Sequence, residues 1–307
     1  MLTVGAILKE PVETTLRFVS WYLSQGADRI ILCFDDPDDP AIELLSPLNA
    51  VECIRCDEGF WHDINISPDK RFTRRQNKAM RHVYYTVKRG WFLNVDADEL
   101  LHFDAGPVSE QLDLLPEETK SVLIRPAEHI QTPESRGTSH FRLAMRPWAS
   151  RMLYGDLGQL MQSRAGLSGH VIGKSAYRAG VRGLLMGQHY PKLRSGKPLT
   201  NLRLGRPEGA NILHFFDQGF ARWRDKLDWR MGSWGYPTEF GAHLREILDG
   251  EDPDRGLLEV YDKLHVFDTE RLDVLSKCYA RLDLDLDLDG IVNQYFPAAP
   301  SKVRSVA

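Results

Sequence analysis

The sequence has no hydrophobic run long enough to cross a membrane. Its longest apolar stretches, at 30–34 and 122–124, have the length of single strands, whereas a membrane-spanning helix needs about 20 apolar residues. The N-terminus has no basic segment before its apolar residues and reaches Lys9 too early for a signal peptide. We therefore expect a cytoplasmic protein, and any membrane contact is expected to be peripheral.

The sequence also has few cysteines, a small net charge and no glycine-rich loop after the first strand. Cys53 and Cys56 have the spacing of a redox or zinc site, but no second cysteine pair accompanies them, so reduced thiols are expected. A net charge of -4 argues against a protein that coats nucleic acid by neutralising phosphates. A nucleotidyltransferase would be expected to carry a glycine-rich loop near the first strand, and residues 6–11 contain none.

The first hundred residues alternate between strand and helix patterns. This order predicts parallel βαβ units, and therefore an α/β, Rossmann-like domain with a mostly parallel central sheet flanked by helices. Ligands of such sheets bind beyond the carboxyl ends of the strands. The predicted strands are 3–8, 28–34, 51–55 and 91–95, and the predicted helices are 14–25, 41–48 and 69–88.

The pattern is looser after residue 105. The polar segment 131–147 predicts a long surface loop, and 218–231 predicts a helix. The Leu-Asp pairs of 282–289 predict either an edge strand or a solvated tail. We divide the chain into a domain of residues 1–235 and a C-terminal helical extension of residues 236–307.

Acidic residues follow the fourth predicted strand directly. Asp96, Asp98 and Glu99 lie within four residues, and two carboxylates at this spacing can face one divalent ion if the chain turns there. Mg²⁺ and Mn²⁺ prefer oxygen ligands and keep coordination positions open for substrate phosphates. The alternative is a helix N-cap in which Asp98 or Glu99 caps a helix over 99–103.

The helix before this strand carries basic residues and one glutamine in its apolar stripe. Gln76 shares a face with apolar residues such as Ala79 and Val83, so it needs a buried polar partner. Most of the arginines are explained by a solvated face. We expect Arg75 and Gln76 to reach a nucleotide or its phosphates, for which guanidinium is a favoured partner.

These segments resemble family 2-type glycosyltransferases of the GT-A fold, in particular the bacterial subgroup whose D-x-D motif reads Asp-Ala-Asp-Glu. The likeness covers residues 3 to 230, and it departs where Lys9-Glu10-Pro11 replaces the usual Lys-Asn-Glu. The matching segments are Ala6–Glu10, Gly26–Asp28, Phe34–Asp39, Arg75-Gln76 and Trp91–Leu100, followed by Gly173–Ser175, His189, His214–Phe216, Phe220 and Lys226.

The resemblance implies inverting sugar transfer from a nucleotide-sugar donor, with Mn²⁺ or Mg²⁺ as the cofactor. It implies that Asp96 and Asp98 hold the metal and that His189 or His214 completes the metal shell. It further implies that Asp35 or Asp36 contacts the base or ribose. The remaining donor-side residues by resemblance are Lys9, Glu10, Lys226 and Asp96 itself, which join Arg75 and Gln76.

Inverting transfer needs a base that takes the proton of the acceptor hydroxyl. By position, Glu128 is the first candidate and Asp156 the second, with His129 as a further option. Trp223 and Trp229 lie in a basic predicted helix, which forms either the acceptor side, a peripheral membrane-facing surface, or plain packing against the sheet.

We expect a metal-dependent glycosyltransferase that moves a sugar from a UDP- or GDP-activated donor to a glycan or lipid-linked acceptor in surface-polysaccharide synthesis. The alternatives are a non-catalytic glycan- or nucleotide-binding protein of the same fold and a sugar nucleotidyltransferase.

Overall fold

The computed structural model describes residues 1–133, 137–232 and 235–297. The strands of these residues are β1 (Leu2–Leu8), β2 (Arg29–Phe34), β3 (Val51–Arg55), β4 (Trp91–Asn94), β5 (Glu99–Phe103), β6 (Ser121–Ile124), β7 (Pro126–Ile130), β8 (Ser139–Arg142), β9 (Lys174–Arg178), β10 (Leu202–Leu204), β11 (Ala210–His214) and β12 (Arg281–Leu284).

The helices are α1 (Val12–Ser24), α2 (Ala41–Leu45), α3 (Glu58–Asp63), α4 (Phe72–Thr86), α5 (Val108–Asp113), α6 (Pro147–Tyr154), α7 (Asp156–Leu160), α8 (Phe220–Asp225), α9 (Leu227–Gly232), α10 (Thr238–Leu248), α11 (Pro253–His265), α12 (Thr269–Lys277) and α13 (Leu288–Tyr295). In the part of the chain that the structure describes, no helix has both the length and the apolar character to cross a membrane.

The described residues form two compact units. Unit 1 contains Met1–Arg125, Ile172–Ile212 and the described residues from 288 onward, and unit 2 contains the described residues of Pro126–Val171 and Leu213–Asp287. The structure thus groups the chain differently from the predicted division at residue 235, which falls inside the second segment of unit 2.

Unit 1 is an α/β unit built on a seven-stranded sheet of order β10-β6-β9-β4-β1-β2-β3. β1 pairs in parallel with both β2 and β4, and β2 pairs in parallel with β3. Among the described strands of this sheet, only β9 runs antiparallel to its neighbours, β4 and β6. The prediction of a mostly parallel sheet with flanking helices is confirmed, and it follows from the nearly continuous apolar sequence of β1 and β2, which are buried along their length.

Helix α4 packs against this sheet through the stripe that its sequence predicts. Gln76, Ala79, Met80, Val83 and Tyr84 are its buried residues. Gly5 of β1 leaves room for its neighbours, because a Cβ at this position would lie 3.3 Å from Met80 Sδ of α4 and 2.7 Å from the Phe92 ring of β4. This close packing positions the first turns of α4 beside the carboxyl ends of the central strands.

Unit 2 combines an antiparallel strand group with helices α6 to α12. β8 pairs with β7 on one side and with β12 on the other. The predicted surface loop 131–147 is wrong in part, because β8 lies within it and buries Phe141 and Arg142. The pairing of β12 confirms the edge-strand alternative for 282–284, and the predicted helix 218–231 divides into α8 and α9 at Lys226.

Candidate functional site

Helix α4 joins the ends of two strands through consecutive side chains. Arg75 forms a two-pronged ion pair with Asp35, which follows β2, and its Nη2 lies 3.1 Å from Asp35 Oδ2. Gln76 Nε2 donates to Asp96 Oδ1 at 2.6 Å beyond the end of β4. Since β1 lies between β4 and β2, these contacts surround the carboxyl end of β1. The structure therefore brings four of the predicted donor-side residues together.

The buried partner that Gln76 requires is Asp96. The Gln76 side chain is only 3 % exposed, and its carbonyl oxygen accepts from Gln188 Nε2 at 3.3 Å. Its amide group is thus used at both ends, which satisfies the hydrogen-bonding requirement of a buried amide. Gln188 was not predicted, and no local pattern around it points to this role.

A lysine from β9 completes the surroundings of Asp96. Lys174 Nζ lies 2.6 Å from Asp96 Oδ2 and 3.1 Å from Glu99 Oε2. The side chains of Lys174 and Glu99 are 1 % and 0 % exposed, whereas that of Asp96 is 38 % exposed. The ammonium group therefore connects a partly exposed carboxylate to a fully buried one.

The electrostatics of this cluster favour a charged lysine. Burial alone would lower the pKa of Lys174, but the attraction and hydrogen bonds of Asp96 and Glu99 outweigh it and raise the pKa above its ordinary value. A buried charge is tolerated when it is paired and hydrogen-bonded. Lys174 thus carries a positive charge at the end of the parallel strands at neutral pH.

The Asp96–Glu99 segment is a tight turn between two strands. The backbone N–H of Asp96 donates to Glu99 Oε2 at 3.0 Å, and the backbone N–H of Glu99 donates to the Asp96 carbonyl at 3.0 Å. Glu99 begins strand β5, so the alternative of a helix N-cap over 99–103 is wrong. Asp98 is half-buried within this turn.

The predicted metal ligands lie in different environments. Both Asp96 oxygens already accept hydrogen bonds, one from Gln76 and one from the Lys174 ammonium. His189 Nδ1 donates to the Gly173 carbonyl at 3.0 Å in unit 1, and His214 is a buried residue of unit 2. The Lys174 ammonium, 2.6 Å from Asp96 Oδ2, would repel a second cation at this carboxylate.

Unit 2 contains a pair of imidazoles whose geometry could hold a metal ion. The rings of His170 and His214 are stacked, with centroids 5.2 Å apart, and each ring offers a nitrogen within 4.8 Å of the other. Gly169 fits between this pair and Glu128, because a Cβ there would lie 2.7 Å from His214 Cε1 and 3.1 Å from Glu128 Oε2. His170 was not among the predicted site residues.

Glu128 lies in a buried ion pair with Arg142. The two residues are opposite each other on β7 and β8, and Arg142 Nε donates to Glu128 Oε1 at 2.9 Å. The backbone N–H groups of Ser168 and Gly169 donate to the same carboxylate at 3.0 and 2.6 Å. Arg142 also donates to the Tyr154 hydroxyl at 3.0 Å.

This environment makes Glu128 a poor base. Burial would raise its pKa, but the Arg142 guanidinium, with help from His214 and the Gly169 N–H, lowers the pKa to about 2. A general base works best with a pKa near the operating pH. The geometry therefore does not support the predicted catalytic role of Glu128 and shows instead a carboxylate that holds the 168–169 turn.

The other predicted residues are spread over both units. Asp156 is exposed at the start of α7 in unit 2, and Lys226 is half-buried between α8 and α9. In unit 1, Lys9 is exposed directly after β1, and Glu10 follows it. Asp36 is exposed, and its Oδ1 accepts from the Asp38 N–H at 3.0 Å, which stabilises the turn after β2. Of the two tryptophans, Trp223 is buried in the core of unit 2 and Trp229 is exposed.

Lys174, like Gln188, belongs to the unit 1 cluster but is not among the predicted site residues. It lies within Gly173–Ser175, one of the segments that carry the resemblance. Lys174 begins β9, and a lysine is almost never fully buried without a partner. Its partner, 78 residues earlier in the chain, could be identified only from the folded structure.

Comparisons with known proteins assign no family. No protein-family model and no curated protein matches the chain. Among the solved structures that it resembles is the crystal structure of HddC from Yersinia pseudotuberculosis, at 12% sequence identity and a TM-score of 0.29, over 45% of this chain and 67% of that one. A likeness this slight assigns neither a fold nor an activity.

Proposed function

We propose that the protein is a glycosyltransferase of the GT-A type that binds a nucleotide-sugar donor at the carboxyl ends of β4, β1 and β2. One observation carries the proposal. Arg75 and Gln76, adjacent on α4, reach Asp35 and Asp96 at the ends of two strands of a mostly parallel sheet. Ligands of such sheets bind at this edge.

The chemistry of these residues suits a nucleoside diphosphate. Asp35 and Asp36 offer carboxylates for ribose or base hydroxyl and amino groups, and Arg75 offers a guanidinium that prefers phosphate and carboxylate oxygens. Arg75 also lies over the Trp61 ring, with its Cζ 5.2 Å from the ring centroid, which holds the guanidinium in place. A donor phosphate would compete with Asp35 for this group.

A divalent cation is part of the proposal. The candidate for holding it in unit 1 is Asp98, and the His170–His214 pair of unit 2 could hold an ion of its own. The acceptor is a glycan or a lipid-linked glycan, and Asp156 is the candidate for the base that takes the proton of the acceptor hydroxyl. A divalent ion at the donor site would supply positive charge to the departing diphosphate.

Isothermal titration calorimetry with UDP and GDP, in Mn²⁺ and in EDTA, tests the proposal. We expect one of the two nucleotides to bind, and the double variant Asp96→Ala plus Asp98→Ala to lose at least about tenfold in affinity, or ~1.4 kcal/mol. The control is Glu118→Gln, a change to an exposed carboxylate of unit 1, which should bind as the parent protein does. Unchanged affinity in the double variant would refute the site.

A screen of nucleotide-sugar hydrolysis distinguishes the alternatives. A transferase is expected to hydrolyse one nucleotide-sugar slowly in the absence of acceptor and to release the nucleoside diphosphate. A nucleotidyltransferase would instead form a nucleotide-sugar and pyrophosphate from a sugar phosphate and a nucleoside triphosphate. A non-catalytic protein of this fold would bind a ligand and turn over neither mixture.

A further inference from the structure

We propose that the Lys174 ammonium neutralises Asp96 in place of a divalent ion, so that Asp96 is not a metal ligand. Asp96 instead positions helix α4 through its hydrogen bond with Gln76. The assignment concerns the site of the proposed function and rests on it. It changes the role of the first aspartate of the Asp96-Ala97-Asp98-Glu99 segment. The observations that carry it all lie within unit 1.

The first observation is that both oxygens of Asp96 are engaged. Oδ1 accepts from the Gln76 amide at 2.6 Å, and Oδ2 accepts from the Lys174 ammonium at 2.6 Å. Mg²⁺ binds its oxygen ligands at about 2.0–2.1 Å. Ligation by Asp96 would therefore place the ion beside an ammonium group that is itself in contact with the same carboxylate.

The second observation is that Lys174 is buried in contact with Asp96. Its side chain is 1 % exposed, and it also contacts Glu99, which is fully buried. Lys174 begins β9, which is held between β4 and β6. An ammonium group that left this position would have to remain buried without Asp96 as its partner, which is costly for a charged group.

The third observation is a continuous set of contacts from the strand ends to α4. Lys174 connects β9 to the Asp96 turn, Asp96 connects this turn to Gln76, and Gln76 accepts from Gln188. The adjacent Arg75 pairs with Asp35. The position of Asp96 thus determines where the first turns of α4 present Arg75, and this is the positioning role that we assign.

Electron paramagnetic resonance of Mn²⁺ titrated into the nucleotide-free protein tests whether Lys174 excludes a divalent ion from Asp96. Asp96→Asn should bind Mn²⁺ with the affinity of the parent protein. Lys174→Met should bind Mn²⁺ at least about tenfold more tightly than the parent protein does. The double variant Lys174→Met plus Asp96→Asn should lose this gain. Weaker Mn²⁺ binding in Asp96→Asn, or no gain in a folded Lys174→Met protein, would overturn the proposal. Lys174→Arg, which keeps the cation, is the matched control.

The positioning role has a readout that a metal ligand would not produce. Asp96→Asn should weaken nucleotide binding by the same factor in Mn²⁺ and in EDTA, because the loss comes from α4. A loss confined to Mn²⁺ would identify Asp96 as a metal ligand and overturn the assignment. If the parent protein binds neither UDP nor GDP, the proposed function fails, while the Mn²⁺ titration still decides the relation between Lys174 and Asp96.

Discussion

The replacement of Glu128 by glutamine is expected to lower the stability of the protein in a pH-dependent way. Glutamine keeps the size of the side chain and removes the charge that faces Arg142. Both partners are buried, with side-chain exposures of 1 % and 0 %. Removing one partner of a buried ion pair leaves the other charge uncompensated, which costs about 3–5 kcal/mol.

The pKa of Glu128 gives a second value for the free energy by which the ion pair stabilises the folded protein. The folded protein holds this pKa at about 2, compared with an ordinary value of 4.5, and this difference corresponds to about 3 kcal/mol. Because the folded pKa is the lower one, the stabilisation is fully present above about pH 4.5 and is lost as the pH falls through 4.5 towards 2. The parent protein should therefore lose stability in this range, whereas the variant lacks the titrating group.

Urea unfolding followed by circular dichroism, at pH 7 and at about pH 3.5, measures this effect. We expect the gap in unfolding free energy between parent and variant to narrow by about 1 kcal/mol at the lower pH. The control is Glu259→Gln, which removes the exposed pair with Arg255 at 3.1 Å and should change stability by less than about 1 kcal/mol. A gap that is small at pH 7, or the same at both pH values, would refute the reasoning.

Three further predictions concern the strand ends and the proposed base. Gly173→Ala should lower the melting temperature by several degrees, because φ is +95° and a Cβ would lie 1.8 Å from the Ile124 carbonyl oxygen; differential scanning calorimetry checks this. Asp35→Asn should weaken UDP or GDP binding in calorimetry, because the proposed carboxylate contact of Asp35 to the ribose or base is lost, and unchanged affinity would contradict it. Asp156→Asn should slow sugar transfer in initial-rate assays and leave nucleotide affinity unchanged; a full rate would exclude Asp156 as the base.

Several parts of unit 1 could be predicted because they depend on local patterns. The apolar runs of β1 and β2 indicate buried parallel strands, and both lie inside the sheet. Gln76, on the apolar stripe of α4, needed a buried polar partner and has one in Asp96. In these cases a periodicity or a single unsatisfied group already limits the possible environments.

Other features could not be predicted, because their partners are distant in the sequence. The β8 segment looks like a polar loop, yet Arg142 is buried by its pairing with Glu128 and its contact with Tyr154. Its position in the sequence makes Glu128 a candidate base, but the pKa of Glu128 depends on a guanidinium that the sequence does not connect to it.

The sequence by itself determined the alternation of strands and helices in the first hundred residues and the concentration of acidic groups after β4. Hydrophobic periodicity and residue type are local properties, so they can be identified without knowledge of the fold. The tertiary structure decided what each of those charges faces. Asp96 meets the ammonium of Lys174 and the amide of Gln76, because strand order brings β9 beside β4 and packing brings α4 over the strand ends. Electrostatic interactions act over a few ångströms in space, and only the folded chain determines which groups lie that close together.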